Sequence, residues 1–413
     1  MAGVSDKARF YLERAAPQLR EWEEKEIFSK EEIRSLVTKR SDYEHQILAP
    51  GTKPTDFLSY VEWERSLERL RAKRCKRLRI HNSTSHASEA RTFGIFERAV
   101  LKHPGSIPLW RAYLDFAASV KATKRWRQII TRALRLHPSS ASLWALAGRK
   151  AAQNGDMERA RGHFLRGCRF CVTAPDLWVE YARCEMEWLA KVEAKRAGKG
   201  VRKGVNVMEA IKATEGAEAD GDFIGMDDSD DEDEDGDMVD MPDPDMGQKP
   251  KPKVFDEETS KKLEQSPALS GAIPMAIFDI SKKQQFWGPA AAEMFFDMFA
   301  GFGGRVECLG RILDHVTDVM EESFLRHPVT GSCEVRQPVV GVAVNTAEFP
   351  KALRVSLDRL KAAMSQSEDK KVLAQKLIAW IDSILAVEGL DGAIQIVLAH
   401  TKMGLEKHVP ETK

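Results

Sequence analysis

The chain has 413 residues, 43% hydrophobic and 31% charged, so it can bury a sizeable core. Six cysteines in that length are too sparse for a secreted disulfide scaffold, and no apolar run approaches the roughly 20 residues that span a bilayer. The balance of 63 basic and 63 acidic residues hides a division: Met226–Asp245 holds twelve acidic residues and no basic one, leaving 63 basic against 51 acidic elsewhere, a net +12 that suits an acidic partner such as RNA.

The first ten residues mix charges without an apolar core, so no signal peptide is expected, and the chain reads as soluble, intracellular and reduced. Residues 5–26 read as one helix with Phe10, Tyr11 and Leu19 as apolar points and a bend at Pro17. Ser29 and Glu32 form a capping-box signature. The helix it opens carries Ile33, Leu36, Val37, Tyr43 and Ile47, and Pro50, Gly51 and Pro54 break it. Thr55 or Asp56 is expected to cap a long helix with Phe57, Tyr60, Val61, Glu64 and Leu67 along one side, continuing into a strongly basic stretch.

From Glu89 a repeat governs the sequence. Trp110, Trp144 and Trp178 stand 34 residues apart, and Arg98, Arg132 and Arg166 keep the same spacing, each followed by a small residue, Ala99, Ala133 or Gly167. A period of 34 is that of a helix–turn–helix repeat, which predicts an α-solenoid. His103-Pro104, His137-Pro138 and Pro175 close successive units, because proline cannot continue a helix. The repeat-core residues Trp110, Tyr113, Ala133, Trp144, Trp178 and Tyr181 fall at a fixed phase, which favours packing between helices over stacking on bases.

Residues 195–270 are rich in Gly, Lys, Asp and Pro and nearly free of aromatics, so they read as a disordered acidic linker. Within it, Ser229 lies among Asp227, Asp228, Asp230 and Asp231, a candidate site for an acid-directed kinase; the plainer reading is a solubilising tract. Helical patterns return at 289–300, 305–325, 350–364, 370–387 and 390–407, whereas Glu334 to Val344, with Pro338, reads as extended chain, followed by Asn345 and Glu348 as a cap. The expected architecture is all-α: an N-terminal helical segment at 1–88, an α-α superhelix of tetratricopeptide-like repeats at 89–194, the linker at 195–270, and degenerate helical repeats at 271–413.

Trp178, Tyr181 and Glu185 give W-x2-Y-x3-E, and Arg98-Ala99 and Arg132-Ala133 fit a second-helix signature; together they resemble the half-a-tetratricopeptide (HAT) repeat of RNA-processing assemblies. The Phe57 unit departs from that pattern by lacking the leading Trp, which leaves its repeat status open. Arg9-Phe-Tyr-Leu-Glu13, Ile27-Phe-Ser-Lys-Glu-Glu-Ile33 and Asp56-Phe-Leu-Ser-Tyr-Val-Glu-Trp-Glu64, running into Arg69-Leu-Arg-Ala-Lys-Arg74, resemble the U3 small nucleolar RNA-associated protein 6 family. The resemblance resumes at Ala272–Phe278, Arg336–Val340 and Glu348–Ala352, and the acidic linker lies outside it. It implies a non-catalytic scaffold subunit of the UtpB subcomplex of the small-subunit processome. The implied partners are WD40 β-propeller subunits, the 5′ external transcribed spacer of pre-ribosomal RNA and the U3 particle. The implied place is the nucleolus of the nucleus, in 18S RNA maturation. A HAT scaffold of splicing or messenger RNA 3′-end formation, and a tetratricopeptide co-chaperone, are the competing readings.

Arg65, Arg69, Arg71, Lys73, Arg74, Lys76, Arg77 and Arg79 form the densest positive run, with only Glu68 inside it. It is a candidate for RNA phosphate, nuclear import or protein docking, against the plainer reading of a solvated helical face. Cys168 and Cys171, with His163 and Cys184 nearby, read as buried thiols rather than a zinc site, because no second C-x2-C exists. Gly301, Gly303 and Gly304 read as a turn between helices, since no Gly-Lys-Ser/Thr follows. No nucleophile–base or paired-carboxylate set stands out, so no enzyme, cofactor or metal is expected.

Overall fold

The computed structural model describes residues 4–80, 86–196, 270–387 and 389–409, and its regular elements there are all helical. No described helix is long and apolar enough to cross a membrane. Two compact units divide the chain, Met1–Leu143 and Trp144–Lys413.

The first unit holds α1 (Val4–Glu13), α2 (Ala16–Glu24), α3 (Lys30–Leu48), α4 (Pro54–Leu78), α5 (His86–Lys102), α6 (Ile107–Ser119) and α7 (Thr123–Leu136). From α2 onward each helix packs against the next in sequence. The single bent helix expected over 5–26 is instead two, parted at Arg14–Ala15 because Pro17 has no amide hydrogen to continue the ladder and sits in the first turn of α2. Ser29 caps α3 with a complete capping box: its hydroxyl accepts from Glu32 N (3.2 Å) and its own amide donates to the Glu32 carboxylate (2.9 Å). For α4 the cap differs from the Thr55 or Asp56 expected. The helix starts at Pro54, and Asp56 reaches back to accept from Lys53 N at 2.8 Å. Trp126, Ile129, Ile130, Ala133 and Leu134 bury one face of α7 at helical spacing. Successive repeat turns are tied together, since Trp110 Nε1 (2.9 Å) and a ring nitrogen of His137 (2.7 Å) both reach the Pro104 carbonyl.

Helix α8 (Ala141–Gln153) runs from the first unit into the second, which contains α9 (Met157–Phe170), α10 (Pro175–Arg196), α11 (Ala272–Ser281), α12 (Pro289–Ala300), α13 (Leu309–Ser323), α14 (Pro328–Arg336), α15 (Phe349–Gln366), α16 (Lys370–Leu385) and α17 (Gly392–Glu406). Helix α10 packs on α9 and also on α11 and α12, so helices before and after residues 197–269 share one core. The Trp178 and Phe286 rings meet at 6.2 Å, and Glu307 N donates to the Glu193 carboxylate at 2.9 Å. Further on, α14 is surrounded by α12, α13, α15 and α16, and Phe349, Leu373, Leu377, Ile381 and Leu398 centre the last core.

The extended segment expected at 334–344 is absent. Glu334–Arg336 finish α14 and Gln337–Val339 form a 3₁₀ turn that takes Pro338 in its first positions. The cap expected from Asn345 is also absent: α15 begins at Phe349 after Glu348, with no side-chain cap bond. Gly301 is the C-cap of α12 and opens the turn into α13. Gly167 is where two helices need a missing side chain, because a Cβ there would lie 2.8 Å from Trp144 Cβ and 3.0 Å from Leu177.

Candidate partner-binding surface and the lattice beneath it

The helices are registered by a recurring set of side-chain contacts. Tyr43 stacks on Tyr60 (5.0 Å between centroids, 6° between planes), Phe96 on Tyr113 (4.9 Å, 12°) and Phe164 on Tyr181 (5.2 Å, 9°). Each pair is 17 residues apart; the intervening repeat has Ile130 and Ala147 at those places. Two of the tyrosines donate to a glutamate 16 residues earlier, Tyr60 to Glu44 (3.1 Å) and Tyr113 to Glu97 (2.6 Å). Two arginines grip a glutamate 24 residues later with paired bonds, Arg40 on Glu64 (2.8 and 3.0 Å) and Arg161 on Glu185 (2.7 and 2.8 Å). Phe57, Tyr60 and Glu64 thus occupy the places of Trp178, Tyr181 and Glu185, and the unit lacking its Trp is a repeat with Phe in that position.

Burial gives this lattice its character. Arg40 and Glu64 are each about 1% exposed at the side chain, and Arg91 adds a second cation 3.7 Å from Glu64. Glu44 takes Arg98 through two bonds of 2.7 and 3.0 Å, and Arg98 also lies over the Tyr11 ring at 3.9 Å. Burial pushes the Tyr60 hydroxyl far above its usual range, with Glu64 and Glu44 adding to it. Burial also lowers the Arg91 guanidinium, helped by the nearby Arg40 charge. Three arginines meet two carboxylates across α3, α4 and α5, so these groups fix helix register rather than stand ready for proton transfer.

Trp110, Tyr113, Ala133, Trp144, Trp178 and Tyr181 are all buried. Cys168 lies on α9, Cys171 just after it and Cys184 on α10; all are buried free thiols. Burial pushes Cys168 and Cys184 up to about 12, which keeps them protonated and unreactive at neutral pH. Among the described residues no three His, Cys, Asp or Glu side chains gather as a metal would require. Ser229 and the acidic tract lie outside the described residues.

The basic run of α4 is split by the helix. Arg71 is buried and bonds the Glu68 carboxylate at 2.5–3.0 Å. Arg74 holds Glu32 through two 2.7 Å bonds, reaches the Ile27 carbonyl at 3.0 Å and lies over Phe28. The Arg74 hydrogen bond, then the Ser29 amide, brings Glu32 down to about 2. Arg74 thus joins α4 to the start of α3, while Arg71 is held by Glu68 on its own helix. Arg69 is exposed and pairs with Glu62 at 2.6 Å. Arg65, Lys73, Lys76, Arg77 and Arg79 are exposed as well, and Arg65, Arg69, Lys73 and Lys76 follow one helical line. The signal for this split is in the sequence: the buried stripe Phe57, Tyr60, Glu64, Leu67 continues at Arg71 and Cys75.

An all-helical repeat protein with an internal Arg–Glu–Tyr lattice and a basic outer stripe is the class these features define. Residues 12–98, which contain the whole Arg40, Glu44, Tyr60, Glu64, Arg91 and Arg98 cluster, match the family profile of U3 small nucleolar RNA-associated protein 6. Through this region the chain is similar to that family. It is 29% identical over 196 residues to U3 small nucleolar RNA-associated protein 6 of Schizosaccharomyces pombe, covering 46% of this chain and 40% of the relative. It is 30% identical over 193 residues to the Homo sapiens homolog, covering 45% of this chain and 32% of the relative. The match therefore spans well under half the length of these curated relatives.

Proposed function

We propose that this chain is a non-catalytic scaffold in ribosome biogenesis, acting with the U3 small nucleolar RNA in the nucleolus. The observation that carries the reading is the coincidence of the family match with the buried lattice of the first unit. The matched region contains the apparatus that sets helix register in this chain, and a fixed register is what a scaffold needs to present its surfaces. In finer terms, we place it in the UtpB subcomplex of the small-subunit processome. Its HAT-type repeats would hold WD40 β-propeller subunits there, and the exposed α4 stripe would lie against the 5′ external transcribed spacer of pre-ribosomal RNA. The buried carboxylates and tyrosines support a structural role, since each is spent on a neighbouring helix.

Purification of the tagged full chain from nuclear extract, with sequencing of the RNA and identification of the proteins retained, tests this. U3 RNA, the 5′ spacer and β-propeller proteins are the expected set. Spliceosomal RNAs or 3′-end processing factors in their place would overturn it.

A further inference from the structure

From Phe116 to Gly155 the chain carries eight basic residues and no acidic one. The fold uses some of them. Arg132 pairs with Glu97 at 2.9 Å and lies over Trp110, Arg125 lies over Phe93 at 4.6 Å, and Arg149 approaches Glu180 at 3.7 Å. Lys124, Arg127 and Arg135 of α7, and Lys121 in the turn before it, are different. All four are exposed, and none has a carboxylate partner among the described residues. Lys124, Gln128, Thr131 and Arg135 form one line on the solvent face, at spacings of four, three and four residues, opposite the buried Trp126, Ile129 and Ala133. At the α-helical rise that line is about 16 Å long. Lys124 also stands in a first turn that holds no acidic residue, where a cation opposes the helix dipole, so the fold gains nothing from its charge.

We propose that this face of α7 is an RNA-backbone contact, additional to the α4 stripe and following the phosphates of a single strand. The inference rests on the reading that the chain works on RNA. The residues between the cations decide for RNA over an acidic protein. Gln128 can donate to a phosphate oxygen, and Thr131, whose hydroxyl donates to the Arg127 carbonyl at 2.9 Å, can accept from a ribose hydroxyl. A protein interface centres on buried apolar anchors, and the only exposed apolar side chain of α7, Leu136, lies at its last residue and off this line.

The test is fluorescence anisotropy of the full chain with a labelled 20-nucleotide single-stranded RNA over a salt series. It compares the wild type with Lys124→Glu/Arg127→Glu/Arg135→Glu and with Lys73→Glu/Lys76→Glu/Arg77→Glu. The α7 variant is expected to bind at least about tenfold more weakly, and its slope of log K against log salt is expected to be shallower by about 2, as for three lost single-strand phosphate contacts. Its Tm is expected to stay at the wild-type value, and the glutamine triple variant, which only removes charge, is expected to give the same loss of slope. Unchanged affinity and slope in the α7 variants, with loss in the α4 variant, would overturn the α7 assignment while leaving the RNA reading intact. Absence of RNA binding by the wild type would overturn both. Labelled polyglutamate bound as tightly as RNA, and lost equally in the α7 variants, would assign the face to an acidic protein and overturn the RNA contact.

Discussion

Arg40 and Glu64 lie side by side in the first unit, each with about 1% of its side chain exposed, so neither charge has water to fall back on. Glu64→Gln leaves Arg40 and Arg91 facing a neutral amide, and breaking one side of a buried pair costs about 3–5 kcal/mol. Urea unfolding followed by circular dichroism should show that loss, while Glu62→Gln on the exposed Arg69 pair should change stability by less than about 1 kcal/mol. Equal effects of the two substitutions would contradict the lattice. Two helical glycines give a second residue-scale test. A Cβ on Gly148 would stand 2.4 Å from the Phe164 ring, which is fully buried and stacked on Tyr181, whereas a Cβ on the exposed Gly94 meets nothing within 4 Å. Gly148→Ala should destabilise by about 1–3 kcal/mol through overpacking. Gly94→Ala should stabilise by about 0.5–1 kcal/mol through helix propensity. The pH response has a residue-scale source in His163, which burial, and then Arg166 and Arg159, lowers to about 4 from 6.5. Below pH 6.5 the unfolded chain takes up a proton that the folded chain refuses, so its contribution is complete above 6.5 and is lost as pH falls towards 4. The Tm of His163→Gln should fall less steeply over that interval than that of the wild type; parallel curves would contradict it.

At the scale of elements, the informative join is between α10 and α11. Residues 197–269 separate them in sequence, yet the two pack directly. Glu307 N bonds Glu193 near the end of α10, and Cys308 Sγ lies 2.9 Å from where a Cβ on Gly271 would be, so both ends flank the same short turn. We infer that the acidic tract is inserted between two helices of one repeat. Replacing residues 200–266 with ten glycines and serines, a length that reaches about 33 Å when extended, should leave the fold intact. The shorter connection should raise stability by about 1.5 kcal/mol through its smaller closure entropy. A fall in Tm of more than about 5 °C would contradict the inference. The sequence did not reveal this pairing, because periodicity reports neighbours within a repeat and is silent across so long an interruption. It did reveal α12 over Pro289–Ala300 and the phase of Trp110, Trp144 and Trp178, since those rest on local stripes and proline stops. It misread Glu334–Val344 because Val335, Val339 and Val340 with Pro338 favour extended chain, whereas four surrounding helices impose helix and a 3₁₀ turn. The candidate site was half legible. The basic run is a feature of composition, but only the helical phase separates the buried Arg71 and the committed Arg74 from the outward Lys73 and Lys76.

For the whole molecule, ion pairs buried inside and, among the described residues, unpaired cations outside are the pattern that the scaffold role proposed above calls for. The first unit carries two basic faces, the α4 stripe and the solvent side of α7, and the twelve acidic residues of Met226–Asp245 conceal them from any count of net charge. In the scaffold role proposed above the chain would hold several partners at once, so its removal should disturb composition of the particle rather than the rate of one chemical step. The most direct measurement is crosslinking mass spectrometry, with ultraviolet RNA crosslinking, on the native particle purified through this chain. The account predicts β-propeller proteins crosslinked to the helical units, and U3 RNA or the 5′ spacer crosslinked to peptides spanning 65–79 or 121–135. A chain recovered alone, or crosslinked only to proteins and RNA outside ribosome assembly, would contradict it.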